Sequence, residues 1–278
     1  MTNSKELFNR LMGKIDLEET PDEIQSILYL VFEHRFGLTK TDILAGKEVE
    51  RADSCDEIID RINNDEPIQY ILGVADFYGR QFIVTPSVLI PRTETELLVH
   101  DVIAHCLPTA QGTILDIGTG TGCIAISLAK ELPNMKSVAT DVSEDALKIA
   151  QVNADRFNVS IKFLCNDVLN DSLPLRNLDI IVSNPPYVSF REKSRMKKNV
   201  LLFEPPVAIF VPDDDPLVFY KAIASLAWKT LTSSGKVWVE INEQFGKEVV
   251  NIFSGKGFQQ VSLRRDFSGK DRIVMASR

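Results

Sequence analysis

Ile180-Ile181-Val182-Ser183-Asn184-Pro185-Pro186-Tyr187 is an apolar, β-branched run that stops at two consecutive prolines. Proline cannot donate to a sheet ladder, so a strand over Ile180–Ser183 must end there. In an open α/β sheet, ligands bind in the crevice outside the carboxyl ends of the strands. Asn184 is therefore predicted at a strand tip, with its amide directed into that crevice. A second tip lies upstream at Asp116-Ile117-Gly118-Thr119-Gly120-Thr121-Gly122, between a strand and a helix.

Around these two tips, strand alternates with helix from about residue 112 onward. Strands are predicted at 113–117, 137–141, 161–165, 180–183, 236–241, 259–263 and 272–276. Helices are predicted at about 122–131, 144–157, 216–231 and 244–255. This order implies an α/β fold whose sheet is mostly parallel, with helices on both faces. The last two strands have only a short connection, so they are expected to pair as an antiparallel edge hairpin.

The preceding region has a different pattern. Residues 1–75 read as a small helical domain, with helix starts at Thr20-Pro21-Asp22-Glu23, Thr39-Lys40-Thr41-Asp42 and Ser54-Cys55-Asp56-Glu57. Ile24, Ile27, Leu28, Val31 and Phe32 recur at helical spacing. Residues 76–91 read as a β-hairpin linker turning at Thr85-Pro86-Ser87, and 92–278 as the α/β domain. Thr93 with Glu96 is predicted as the capping box of the first helix in that domain, with Leu97, Leu98, Val102 and Ile103 on its buried face.

Composition excludes several classes. The 278 residues are 44% hydrophobic and 25% charged, with a formal net charge of −8. A protein that grips nucleic acid through its backbone shows a basic footprint, and this chain is acidic. No stable nucleic-acid binding is expected. Cys55, Cys106, Cys123 and Cys165 have no metal-type spacing and read as small buried hydrophobes in a reducing compartment. No signal-type or bilayer-length apolar run is present, so a cytoplasmic protein without membrane attachment is expected. The basic run Arg191–Lys198 reads as a solvated mobile loop, with a clamp on an acidic partner or closure over substrate as the alternatives. Asp213-Asp214-Asp215 reads as a helix-start cap, not a metal site. His34, His100 and His105 are assigned no catalytic part.

The strand tips carry the chemistry. The glycine turn lets backbone approach a ligand at a helix N-terminus. A dinucleotide fingerprint needs glycine at 123, where this chain has Cys123, so a nicotinamide-dependent oxidoreductase is disfavoured. Asp116 followed by Gly118, Thr119, Gly120, Thr121 and Gly122 resembles the first motif of class I S-adenosylmethionine-dependent methyltransferases. That resemblance implies a turn wrapped around the methionine part of the cofactor. Asp141, at the next strand tip, would bind the ribose hydroxyls; alone it reads better as a helix cap, in rivalry with Ser143. Asp167 and Val168, after the third strand, would hold the adenine; alone Asp167 reads as a loop carboxylate. Their order along three successive strands favours a cofactor site.

Asn184-Pro185-Pro186-Tyr187 resembles the site of enzymes that methylate a planar nitrogen. The Asn184 side-chain oxygen and the Pro185 carbonyl would accept the two hydrogens of an amide, and Tyr187 would stack beside it with Pro186 holding the turn. The bland alternative is a rigid strand-ending turn.

Further motifs narrow the resemblance: Pro67-Ile68-Gln69-Tyr70-Ile71-Leu72-Gly73, Ile90-Pro91-Arg92-Thr93-Glu94-Thr95-Glu96 and Glu204-Pro205-Pro206. Together with the two tips they resemble the release-factor glutamine methyltransferases, the HemK family, across most of the chain. Thr93 departs from the proline usual at that place in the family. The resemblance implies a Rossmann-like seven-stranded methyltransferase sheet. It implies methylation of the glutamine amide in the Gly-Gly-Gln tripeptide of class I peptide-chain release factors, leaving S-adenosylhomocysteine. The alternative with the same tetrapeptide is an amino-adenine methyltransferase acting on DNA or RNA, which predicts a basic surface and a target-recognition insert.

Overall fold

The computed structural model describes residues 2–50, 55–107 and 109–278. They fall into two compact units. The first runs to Val74 and also takes in Lys197–Phe203; the second holds Ala75–Met196 and Glu204–Arg278. The sequence assigns Lys197–Phe203 to the α/β domain, whereas its contacts cluster it with the helical unit.

In the first unit, Pro21–Phe36 is a helix whose start follows the predicted capping box: Thr20 accepts from the Glu23 backbone and Glu23 reaches back to Thr20. Thr39 and Asp42 do the same for the helix Lys40–Leu44. The Ser54 cap lies outside the described residues. Leu28, Val31 and Phe32 are buried with Leu7, Leu11, Ile58, Ile59 and Ile62, while Ile24 and Ile27 are only half-buried. The unit is not wholly helical, because Thr2–Asn3 pairs antiparallel with Glu48–Val49. The basic run is largely ion-paired at its end: Lys197 Nζ lies 2.7 Å from Glu19, and Lys198 Nζ 3.7 Å from Glu18.

The second unit opens with a hairpin whose position differs from the prediction. Val74–Phe77 pairs with Arg80–Ile83 around Tyr78-Gly79, and residues 88–90 form no strand. Tyr78 and Gly79 have φ of 51° and 69°, the left-handed pair that a two-residue hairpin turn requires. Alternation alone did not reveal this turn, because tyrosine is an uncommon occupant of that conformation. Phe77 and Phe82 are buried in the main core, so the hairpin is part of the α/β unit's interior.

The main sheet has seven strands, numbered here along the chain: β1 Gly112–Ile117, β2 Met135–Asp141, β3 Ile161–Cys165, β4 Leu178–Ser183, β5 Leu231–Glu240, β6 Gln259–Arg265 and β7 Asp271–Ser277. Their spatial order is β6-β7-β5-β4-β1-β2-β3. The pairs β1–β2, β2–β3, β1–β4 and β4–β5 are parallel, and β7 runs antiparallel to both β5 and β6. Strand alternation feeds two cores. Leu115, Ile117, Ile181, Val237 and Val239 face the helices Val218–Thr230 and Gly246–Lys256. Ile114, Ile180, Val182 and Trp238 face the helices Thr93–Ala104 and Cys123–Glu131. Strands buried on both faces read as near-continuous apolar runs, which is why β4 was so legible.

Three smaller readings are corrected. Thr93 does not cap its helix; the N-cap is Arg92, and Glu96 accepts from the Tyr78 backbone at 2.8 Å. Asp213–Asp215 do not cap the next helix, whose N-cap is Leu217; Asp213 accepts from the Arg191 backbone and Asp215 from Lys221. Of the four cysteines, Cys55 and Cys123 are buried, Cys106 is half-buried and Cys165 is exposed.

Candidate active site

The order β3-β2-β1-β4-β5 reverses direction at β1, and the carboxyl ends of β1, β2, β3 and β4 open on one cleft of about 990 Å³, its open mouth included. This is where a doubly wound sheet binds ligands. Gly118, Gly120, Asp141, Asp167 and Val168 line it, and so do Asn184, Pro185 and Pro186. The two tips singled out in the sequence, more than sixty residues apart, share one cavity.

The glycine turn is built for close approach. Gly118 and Gly120 have φ of 72° and 54°, and a Cβ added to either would meet nothing within 4 Å. Bare backbone therefore faces open space at the start of the helix Cys123–Glu131. Asp141 secures the turn: its carboxylate accepts from the Gly120 backbone and from the Ser143 backbone, each at 2.9 Å. Burial pushes its carboxyl up, against the pull of those backbone donors and of Val142. A carboxylate has about four lone-pair sites, so acceptor capacity remains for ligand hydroxyls. Ser143, the rival cap, does cap the following helix by accepting from Ala146.

Asp167 accepts from the Leu169 backbone at 2.9 Å and from Asn170 Nδ2 at 2.7 Å, shaping its own loop at the cleft wall.

Four predicted residues do not line the cleft. Asp116 lies beneath the turn, fully buried, and its Oδ2 accepts from Thr119 Oγ1 at 2.7 Å and from the Ala125 backbone at 3.2 Å. Strand alternation puts position 116 on the face of Ile114, beneath the helix Cys123–Glu131, whose positive N-terminus attracts a carboxylate. Burial nonetheless pushes Asp116 up to about 7, and its Oδ1 is buried without a partner. Thr119 and Thr121 are buried supports, the latter accepting from the Cys123 backbone at 3.3 Å. Gly122 is the N-cap of the helix, at φ 80°.

Tyr187 is the fifth departure. It does not line the cleft; its ring packs against the core, and its hydroxyl donates to Glu240 Oε1 at 3.2 Å. Asn184 Nδ2 donates to Thr95 Oγ1 at 3.0 Å, and the Thr95 hydroxyl donates to Glu240 Oε2 at 2.7 Å. Thr95 and Glu240 were missed in the sequence. The available signal was the end of β5, Val237-Trp238-Val239-Glu240, an apolar strand closing on a carboxylate. Two quoted motifs also meet: Arg92 and Glu204 form an ion pair at 2.5 Å, and the next residue, Pro205, lines the cleft. Among the described residues no group of His, Cys, Asp and Glu could hold a metal ion.

A Rossmann-like sheet with a bare glycine turn, a carboxylate at the next strand tip and an Asn-Pro-Pro tip in the same cleft has the form of a methyltransferase. Residues 94–202 match the family described as Methyltransferase small domain, and residues 13–73 match the PrmC N-terminal domain. The release factor glutamine methyltransferase of Bacteroides thetaiotaomicron is 44% identical over 263 residues, covering 93% of this chain and 94% of that one. That of Flavobacterium psychrophilum is 41% identical, covering 91% of each. A methyltransferase structure from Pyrococcus furiosus superposes with a TM-score of 0.51 over 80% of this chain and 98% of that one, at 17% identity, and so supports the fold. The chain is thus an S-adenosylmethionine-dependent methyltransferase. It belongs to the release factor glutamine methyltransferase family.

Proposed function

We propose that this protein transfers a methyl group from S-adenosylmethionine to the side-chain amide nitrogen of glutamine in the Gly-Gly-Gln tripeptide of class I peptide-chain release factors. The observation that carries this reading is that Asn184 and Pro185 line the same cleft as Gly118, Gly120 and Asp141. On this reading donor and acceptor sites are adjacent.

The residues present suit the cofactor. The turn at Gly118 and Gly120 offers backbone to its methionine part, Asp141 keeps free lone pairs for ribose hydroxyls, and Asp167 and Val168 flank the remaining wall for adenine. When bound, the cofactor supplies an electrophilic methyl on sulfur. The amide nitrogen is a poor nucleophile because its lone pair is delocalised. Asn184 Oδ1 and the Pro185 carbonyl accept its two hydrogens, hold the nitrogen in line and stabilise positive charge as the N–C bond forms. Transfer would break the C–S bond and leave S-adenosylhomocysteine, and the nitrogen, acidic once methylated, would lose its proton to solvent. Pro185 and Pro186 keep the acceptors stiffly placed, and Tyr187 supports them from the core side through Glu240.

A cytoplasmic setting fits the reading, and no described helix is long and apolar enough to cross a membrane. Stable nucleic-acid binding is not part of it, given the net charge of −8. Peptide mass mapping of a class I release factor after incubation with S-adenosylmethionine tests it. The expected result is one added methyl on the Gly-Gly-Gln glutamine, absent with Asn184→Ala. Labelled methyl in added DNA or RNA, with none on the factor, would overturn it in favour of amino-adenine transfer.

A further inference from the structure

The amide of Asn184 has two ends of nearly equal size, and only its partners decide which end faces the cleft. Its Nδ2 donates to Thr95 Oγ1 at 3.0 Å. A threonine hydroxyl carries one proton. That proton is committed to Glu240 Oε2 at 2.7 Å, so the Thr95 oxygen can only accept from Asn184. The other carboxylate oxygen receives the Tyr187 hydroxyl at 3.2 Å. Thr95 is 3% exposed and Glu240 1%, so water does not compete for these positions.

We propose that Thr95 and Glu240 are positioning residues for amide transfer: the ionised Glu240 carboxylate sets the direction of the hydrogen-bond chain, which turns Asn184 Oδ1, the acceptor, toward the substrate amide. This rests on the reading that Asn184 receives that amide. Reversal of the chain has a definite chemical consequence. A protonated Glu240 donates to Thr95, the Thr95 hydroxyl turns to donate to Asn184 Oδ1, and the flipped amide presents its NH₂ group to the cleft. Two donors then face each other, and the substrate amide loses one of its two acceptors.

Location supports the assignment. Glu240 closes β5, Asn184 follows β4, and Thr95 lies in the first turn of the helix Thr93–Ala104, so three separate elements meet at one chain of bonds. Burial raises Glu240 to about 7, while the Thr95 hydroxyl, the charge of Arg272 on β7 and the Tyr187 hydroxyl pull it down and Glu94 pushes it up. Tyr220, from the helix Val218–Thr230, also feels the Glu240 charge. The direction of the chain therefore changes near neutral pH.

The test measures kcat, KM for release factor and Kd for S-adenosylmethionine between pH 5.5 and 9, in the wild type, Thr95→Val, Thr95→Ser and Glu240→Gln. Thr95→Val is expected to lower kcat roughly 10- to 100-fold, as lost orientation does, with cofactor Kd within about twofold of the wild type. Thr95→Ser is expected to restore most of that rate, because the hydroxyl returns. Wild-type kcat should rise with pH through about 7; Glu240→Gln should be slower at pH 8 and flat across the same range. The inference is overturned if Thr95→Val keeps kcat within about twofold, if Thr95→Ser is as slow as Thr95→Val, if the loss lies wholly in cofactor Kd, or if the Glu240→Gln profile parallels the wild type. A wild type that places no methyl on glutamine overturns the underlying reading and this inference with it.

Discussion

Asp141 joins the proposed cofactor site to the fold. Its two oxygens hold the Gly120 and Ser143 backbones at 2.9 Å while facing the cleft. Asn at this position can accept only through one oxygen, so either Gly120 or Ser143 confronts an NH₂ group. Hydrogen bonds to charged groups are worth about 1.5–3 kcal/mol. Asp141→Asn should therefore weaken S-adenosylmethionine binding roughly tenfold or more by titration calorimetry; unchanged affinity would remove Asp141 from the cofactor site. The place of Asp141 at a strand tip in the cleft was readable because its type, spacing and position after an apolar strand agree. Glu240 was not: an acidic residue ending an apolar strand is a common pattern, and only its meeting with Thr95, 145 positions away, gives it meaning.

At the scale of elements, the turn from β1 into the helix Cys123–Glu131 bears the tightest constraint. Gly122 has φ 80°, and a Cβ there would sit 3.0 Å from Ile126 Cδ1 and 3.3 Å from Ala150 Cβ. A left-handed L-residue costs about 1–2 kcal/mol before any clash. Gly122→Ala should lower the thermal midpoint of the α/β unit by about 2–8 °C in a melting scan. An unshifted midpoint would mean the turn relaxes freely. The seven strands and four of the helices were legible because each has the right period and a stop signal at its end. The hairpin was misplaced because Tyr78-Gly79 lacks the usual turn residues, while Thr85-Pro86-Ser87 has them without strands on both sides. Thr93 failed as a cap because the Tyr78 backbone engages Glu96, a contact 18 residues apart.

For the whole molecule, Asp101, Asp116, Glu204 and Glu240 are the carboxylates buried among the described residues, in a chain already carrying a net charge of −8. Burial holds both Asp116 and Glu240 up at about 7. Their folded values exceed the unfolded ones, so the native state keeps protons that the unfolded chain releases. Their contribution to stability is greatest below about pH 4 and declines as pH rises to about 7. Asp116→Asn removes one of the two. Its thermal midpoint relative to the wild type should shift upward between pH 5 and pH 8, by a few degrees, and calorimetric scans at the two values would show it. A constant difference would mean that Asp116 titrates as an ordinary carboxylate.

The sequence by itself determined the α/β class, the strand order along the chain, the glycine turn and the Asn-Pro-Pro tip. Those features are local: period, proline and glycine act within a few residues. Only the tertiary structure decided that Asp116 turns inward to a helix N-terminus, that Tyr187 leaves the cleft for the core, and that Thr95, itself bonded to Glu240, takes hold of Asn184. These outcomes depend on which face of a strand is covered and on which distant donor meets a buried acceptor. No local pattern encodes that, because a buried polar group is satisfied by whatever partner the packing brings to it.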